Sequence, residues 1–215
     1  MVKGLRRFCF VDKPLKIFHH EYMIKNILII QGHPDTKSFN HALHASYKKG
    51  ALAAGAQVRE IFVGQLNFNL NLQYGYRQRT ELEPCLLEAQ QNIKWANHIV
   101  IIYPVWWGAV PAVLKGFFDR TLLPGFAFKK REGSIFWDRL LKGKSARIIS
   151  TLDQPNWFYS LIYGAPSDKA VKRLTLNFCG ISPVGITNIG PLRLSTEQFR
   201  TKWLNKVESL GFKTK

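Results

Sequence analysis

Ile99-Val100-Ile101-Ile102-Tyr103-Pro104-Val105-Trp106-Trp107-Gly108-Ala109-Val110-Pro111 passes from an apolar β-branched run, through a loop with two tryptophans, into a helix. Ile99 to Tyr103 has no polar/apolar alternation, the mark of a strand covered on both faces and hence of a parallel sheet. Pro111 stands at the first turn of the helix that follows, to about Arg120, where a missing N–H costs least. A strand feeding a helix is half of a βαβ unit, and open α/β sheets bind ligands beyond the carboxyl ends of their strands. Trp106 and Trp107 fall at that end, beside Pro104 and Gly108, where backbone can approach a flat ligand. Tryptophans are as often plain core. Their place in a connecting loop favours a ligand platform.

The same alternation extends to both sides. Upstream, Asn26 to Ile30 reads as a strand ending in Gln31-Gly32-His33-Pro34, and Ser38 caps a helix running to about Ala54. Gln57 to Val63 is a second strand, 64–83 a long polar-aromatic loop, and Pro84 to Trp95 a second helix. Downstream, a second excursion covers 122–143, and Ser145 to Thr151 is a fourth strand leading to Tyr159. A helix from Ser167 to Phe178, a strand from Val184 to Gly190 and a last helix ending near Gly211 complete the chain. Ser195 and Gln198 stand in capping-box register at the start of that last helix. These elements predict a three-layer α/β/α sandwich on a five-stranded parallel sheet, order 2-1-3-4-5, with right-handed crossovers. Residues 1–22 read as an extension outside the fold and 23–215 as the domain, with Met23 a natural start.

Composition narrows the setting. The chain has 215 residues, enough for one domain with a full core, and 46% of them are hydrophobic. No apolar run is long enough for a membrane span. Cys9, Cys85 and Cys179 are too far apart for a CxxC pair or a metal cluster, and fit reduced thiols in a cytoplasmic protein, Cys179 in the core. The formal charge of +17 would attract polyanions or phosphorylated cofactors. The cations are scattered in short groups such as Lys129-Lys130-Arg131, with no nucleic-acid motif, so a solvated basic surface is the simpler reading.

Three loops converge on the carboxyl edge of the predicted sheet. In the first, Thr36, Ser38 and Asn40 offer side-chain donors, His33 and Lys37 further ones, and the helix behind them its positive end, the makings of a phosphate cradle. No GxGxxG and no GxxxxGK[ST] is present, which removes the dinucleotide fingerprint and the P-loop. The middle loop, Pro104, Val105, Trp106, Trp107 and Gly108, suits an isoalloxazine ring, whose reduced form gathers charge that backbone N–H groups can meet. The third brings Thr151, Asp153, Gln154 and the phenol of Tyr159.

Taken together, Gly32 to Asn40, Tyr103 to Arg120, Leu123-Pro124-Gly125-Phe126-Ala127-Phe128 and Phe178-Cys179-Gly180 resemble the NAD(P)H:quinone oxidoreductases of the flavodoxin-like fold, over roughly residues 24–211. The resemblance implies a two-electron reductase, a homodimer with flavin at the subunit interface. It assigns His33, Ser38, Phe39 and Asn40 to the flavin phosphate loop, Pro104, Val105, Trp106 and Trp107 to the ring loop, and Thr151 to the third loop. Tyr159 is similar to the tyrosine that assists charge development on the ring. Two departures stand out. Leu152-Asp153-Gln154-Pro155 replaces the glycines of mammalian-type members, and no histidine follows Tyr159. The chain is closer to bacterial members.

The reading is therefore a flavoenzyme that passes hydride from NAD(P)H to a quinone or similar flat acceptor by a ping-pong course. Tyr159 is the expected catalytic group, with Trp106, Trp107, Phe128, Trp157 and Tyr159 as walls of the slot. The two excursions favour FAD over FMN, as cover for an adenine. The alternatives are an azo- or nitro-compound reductase and a flavin-binding regulatory partner of a transporter. Specific nucleic-acid binding, membrane insertion and a metal are not expected.

Overall fold

The computed structural model describes residues 25–214; the expected extension 1–22 and Met23 lie outside them. Five parallel strands form the central sheet: β1 (Asn26–Gln31), β2 (Gln57–Phe62), β3 (His98–Pro104), β6 (Ser145–Thr151) and β7 (Val184–Ile189), in the order β2-β1-β3-β6-β7. This is the expected 2-1-3-4-5 order, with two strands of a separate hairpin numbered between. The hairpin, β4 (Phe128–Lys130) with β5 (Trp137–Arg139), makes the excursion at 122–143 an ordered antiparallel ribbon.

The two-residue period of the strands explains the three layers. In β1, Leu28 and Ile30 face one core while Ile27 and Ile29 face the other. In β3, Ile99, Ile101 and Tyr103 alternate in the same way with Val100 and Ile102. The first core is covered by α2 (Pro84–Trp95) and α3 (Ala112–Thr121), and by a run in which α5 (Pro166–Lys169), a π-helical segment (Ala170–Leu176) and α6 (Asn177–Cys179) follow without a break. Thr175 Oγ1 donates to the Ala170 carbonyl 3.0 Å away inside that π segment. The second core is covered by α1 (Phe39–Ala53) and α7 (Glu197–Phe212), which touch closely because Gly50 and Gly211 leave no side chain between them.

Three local details depart from the sequence reading. Residues Asn156–Leu161, read as loop, form a short helix, α4. Helix α7 is capped by Thr196, whose side chain accepts from the Phe199 N–H, because Ser195 is already engaged with the Leu192 carbonyl and Arg200 Nε. Segment 64–83 is not loose: Arg120, 1% exposed, donates from α3 to the carbonyls of Asn69 and Glu81 and to the Glu83 carboxylate at 2.8 Å.

Candidate active site at the carboxyl edge of the sheet

Gln31, the polar last residue of β1, is 1% exposed and ties the first loop to its neighbours. Its Nε2 donates to the Asn40 carbonyl at 2.8 Å and its Oε1 accepts from the His33 N–H at 3.0 Å. His33 Nδ1 in turn accepts from the Asp35 N–H at 2.9 Å. That bond leaves the proton on Nε2, and burial pushes the imidazole below its ordinary pKa, so His33 offers a neutral N–H and not a cation. Its ring stands edge-on to Trp106, centroids 5.4 Å apart.

Ser38 holds the N-cap position of α1, but its hydroxyl donates back to the Asp35 carbonyl and makes no cap bond. The N–H groups of His41 and Ala42 reach the Ser38 carbonyl, while those of Phe39 and Asn40 have no acceptor among the described residues and are left for another. Asn40, 2% exposed, donates from Nδ2 to Thr151 Oγ1 at 2.9 Å, joining the first and third loops. Its Oδ1 is buried without a partner among the described residues, an acceptor waiting for a donor.

The middle loop is a two-residue hairpin turn. Trp106 and Ala109 exchange both backbone hydrogen bonds, at 3.0 and 2.9 Å, across Trp107 and Gly108. Trp107 has φ of 52° and Gly108 of 72°. Two consecutive left-handed residues make a type I′ turn, which normally selects Asn-Gly and disfavours a bulky first residue. Trp107 is also fully exposed, at 104%. Its indole therefore contributes nothing to the core, and the reading of Trp107 as packing falls. The N–H groups of Trp107 and Gly108 have no acceptor among the described residues. Val105 N–H reaches the Thr151 carbonyl at 2.9 Å, which fixes the turn against the third loop.

Of the residues singled out from sequence, His33, Thr36, Ser38, Phe39, Asn40, Pro104, Val105, Trp106, Trp107, Gly108, Thr151 and Asp153 all stand at this one edge, on the loops leaving β1, β3 and β6 or on the strand and helix ends that flank them. Trp157 is exposed on α4. Two expectations need correction. Phe128 is buried in the core against Phe178, in the hairpin at the amino edge, because α3 carries the chain across the sheet before β4 begins. It is no wall of a slot in its own chain, and the hairpin does not cover an adenine there. Tyr159 is 2% exposed, so it is not an open wall either; its oxygen accepts from the Asp168 N–H at 3.4 Å. Burial pushes its phenol up to about 12 and keeps it protonated.

A polar row escaped the sequence reading. Tyr103, Ser150 and Asn188 lie side by side across β3, β6 and β7, roofed by Ser167 and Asp168 of α5. The only signal was a polar residue near the carboxyl end of each apolar strand. A groove of about 1000 Å³ along α2, lined by Tyr76, Arg79, Lys94 and Phe126 among others, shares no residue with the three loops.

The flavodoxin-like fold family model matches residues 25–209. An uncharacterized NAD(P)H oxidoreductase of Haemophilus influenzae is 30% identical over 185 residues, 81% of this chain and 88% of that protein. The chain belongs to the flavodoxin-like NAD(P)H:quinone oxidoreductase family. It is an oxidoreductase. Human ribosyldihydronicotinamide dehydrogenase [quinone] is 27% identical, over 73% of this chain and 77% of its own. A crystal structure from Streptococcus mutans superposes with a TM-score of 0.76 at 27% identity, covering 87% of this chain and 98% of that one. An FMN-dependent NADH-azoreductase of Bacillus anthracis, solved with FMN, shares the fold at a TM-score of 0.72 and 20% identity, over 89% and 99% of the two chains.

Proposed function

We propose that this chain is a flavin-dependent NAD(P)H oxidoreductase that transfers two electrons to a quinone or similar flat acceptor, with the flavin held by the three loops described above. The observation that carries this reading is the Trp107–Gly108 turn: a strained, exposed, type I′ turn presenting two unpartnered N–H groups at the switch point of the sheet. The donor set fits the group. The free N–H groups of Phe39 and Asn40, with neutral His33 beside them and the Ser38 hydroxyl once it turns from the Asp35 carbonyl, suit a phosphate; the orphaned Asn40 Oδ1 and the Thr151 hydroxyl suit a polyol chain. Pro104, Val105, Trp106 and Gly108 would border the ring, and Thr36, Phe39 and Asp153 the rim.

A bound flavin would supply the two-electron chemistry, taking hydride from NAD(P)H and yielding it to the acceptor. The chain's own part is orientation and charge. Trp107 and Trp157 offer exposed flat faces on which a nicotinamide and then an acceptor can lie in turn. The Trp107 and Gly108 N–H groups meet negative charge gathered on a ring between the loops. Tyr159, kept protonated, holds its proton behind that place. The exposed apolar row Trp157, Leu161, Ile162 and Tyr163 on and after α4 supports a homodimer in which a second copy covers the slot.

Heat release of the cofactor from purified protein, with chromatography, tests the reading and decides between FMN and FAD. With the hairpin at the far edge, only the 64–83 excursion still argues for FAD in a single chain. A protein that neither carries nor takes up either flavin refutes it.

A further inference from the structure

The buried polar row behind the Trp107–Gly108 turn has a carboxyl at its end. Ser150 Oγ donates to Asn188 Oδ1 at 3.0 Å, and Asn188 Nδ2 donates to Asp168 Oδ2 at 2.7 Å. The Asp168 N–H donates to the Tyr159 oxygen, and the preceding Ser167 Oγ donates to the Tyr103 hydroxyl at 3.1 Å. Asp168 is 7% exposed, and its Oδ1 is buried with no partner among the described residues. The connection to the site is short. A Cβ on Gly108 would lie 3.3 Å from Pro166 Cγ, two residues before Asp168, so the turn rests on the residue that opens α5. The same segment departs from the regular backbone: Gly164 and Ala165 are both left-handed, at φ of 68° and 49°, and the Ala165 N–H closes onto the Tyr159 carbonyl at 3.0 Å.

We propose that Asp168 is a positioning residue for the reaction: its N–H fixes the Tyr159 oxygen, and its carboxyl is the group through which charge enters the buried row behind the turn. This rests on the flavin reading of the site. Facing the carboxyl are Tyr103 from β3, Tyr159 from α4, Asn188 from β7 and Lys172 from the π segment. Burial holds Asp168 above the usual carboxylate range, while the Asn188 bond and the Lys172 charge pull it back. Neutral, the carboxyl leaves Tyr159 free to serve charge gathering on the ring. Ionised, it sets a second negative charge behind the same place and makes two-electron reduction harder.

The test measures two quantities against pH in wild type, Asp168→Asn and Lys172→Met: stability of the flavin-free protein, and the reduction potential of the bound flavin. Flavin-free wild type should lose stability as pH rises through the Asp168 ionisation, since the folded state holds that proton longer; Asp168→Asn should not. The wild-type potential should fall by an additional step over the same pH range, absent in Asp168→Asn and moved to higher pH in Lys172→Met. A stability step that persists in Asp168→Asn, or a potential that tracks wild type in it, overturns the proposal. If Asp168→Asn does not fold, an unmoved step in Lys172→Met does so. A wild type that shows the stability step but binds no flavin refutes the functional reading itself, and this role with it.

Discussion

Trp107 shows how much a single residue can carry. A bulky side chain held at φ of 52° costs about 1 kcal/mol or more relative to glycine, and complete exposure returns none of it through burial. Trp107→Gly is therefore expected to leave thermal stability unchanged or raise it by about 1 kcal/mol, relief of strain being offset by unfolded-chain entropy. Acceptor turnover should fall at least about tenfold, the effect of losing one stacking wall worth about 1.4 kcal/mol. Unfolding midpoints and steady-state rates on the same preparations check this. A destabilised variant with full turnover would return Trp107 to a structural role. The neighbourhood of the loop was legible because tryptophans at the end of a buried strand are conspicuous. Their backbone was not, since nothing in Trp-Gly announces a turn that usually takes Asn-Gly. Asp168, Asn188, Ser150 and Tyr103 were illegible for another reason. They come from four segments: strand register aligns Tyr103, Ser150 and Asn188, and α5 brings Asp168 over them.

Among the elements, the closest packing is between α1 and α7. A Cβ at Gly211 would collide with the Tyr47 carbonyl oxygen, and one at Gly50 with that of Glu208. Backbone cannot yield as a side chain can, so Gly211→Ala should cost about 3 kcal/mol, read by chemical denaturation, by pushing α7 and its buried Val207 away from Ile27 and Ile29. A loss below about 0.5 kcal/mol would mean that the helices slide apart freely. The strands and helices of the sheet were readable from apolar runs and from Pro and Gly punctuation. The excursions were not, because their order comes from distant partners. Arg120 organises 64–83 from α3, and Trp137 ties the hairpin to the Phe178 carbonyl at 2.9 Å while stacking on its ring. Polarity alone made both look like loops over the site. Only the first starts there, where Gly64 presses on Pro34.

At the scale of the whole molecule, acid should unfold the protein through a group remote from the site. His98 opens β3 at 3% exposure, with Nδ1 2.7 Å from Ser145 Oγ and Nε2 unpartnered among the described residues. Burial pushes it down to about 4, so the unfolded chain takes up this proton first. Stability is thus lost as pH falls from about 6.5 through 4, by about 3 kcal/mol, and constant beyond. His98→Asn, which keeps the Nδ1-side bond, should flatten that part of the pH–stability curve; an identical curve would assign acid sensitivity elsewhere. Topology was the most legible level of all, since parallel strands must be joined by crossovers and the alternation of elements leaves few orders to consider. What a fold shared by many enzymes does not decide is chemistry, which belongs to the three loops. The direct measurement is anaerobic mixing of the flavin-loaded protein with NADH or NADPH, followed by a quinone. The flavin absorbance should bleach with at least one nicotinamide and return on adding the quinone, each step a single turnover. A folded, flavin-loaded protein whose spectrum neither nicotinamide changes would contradict the assignment of this edge as a hydride-transfer site.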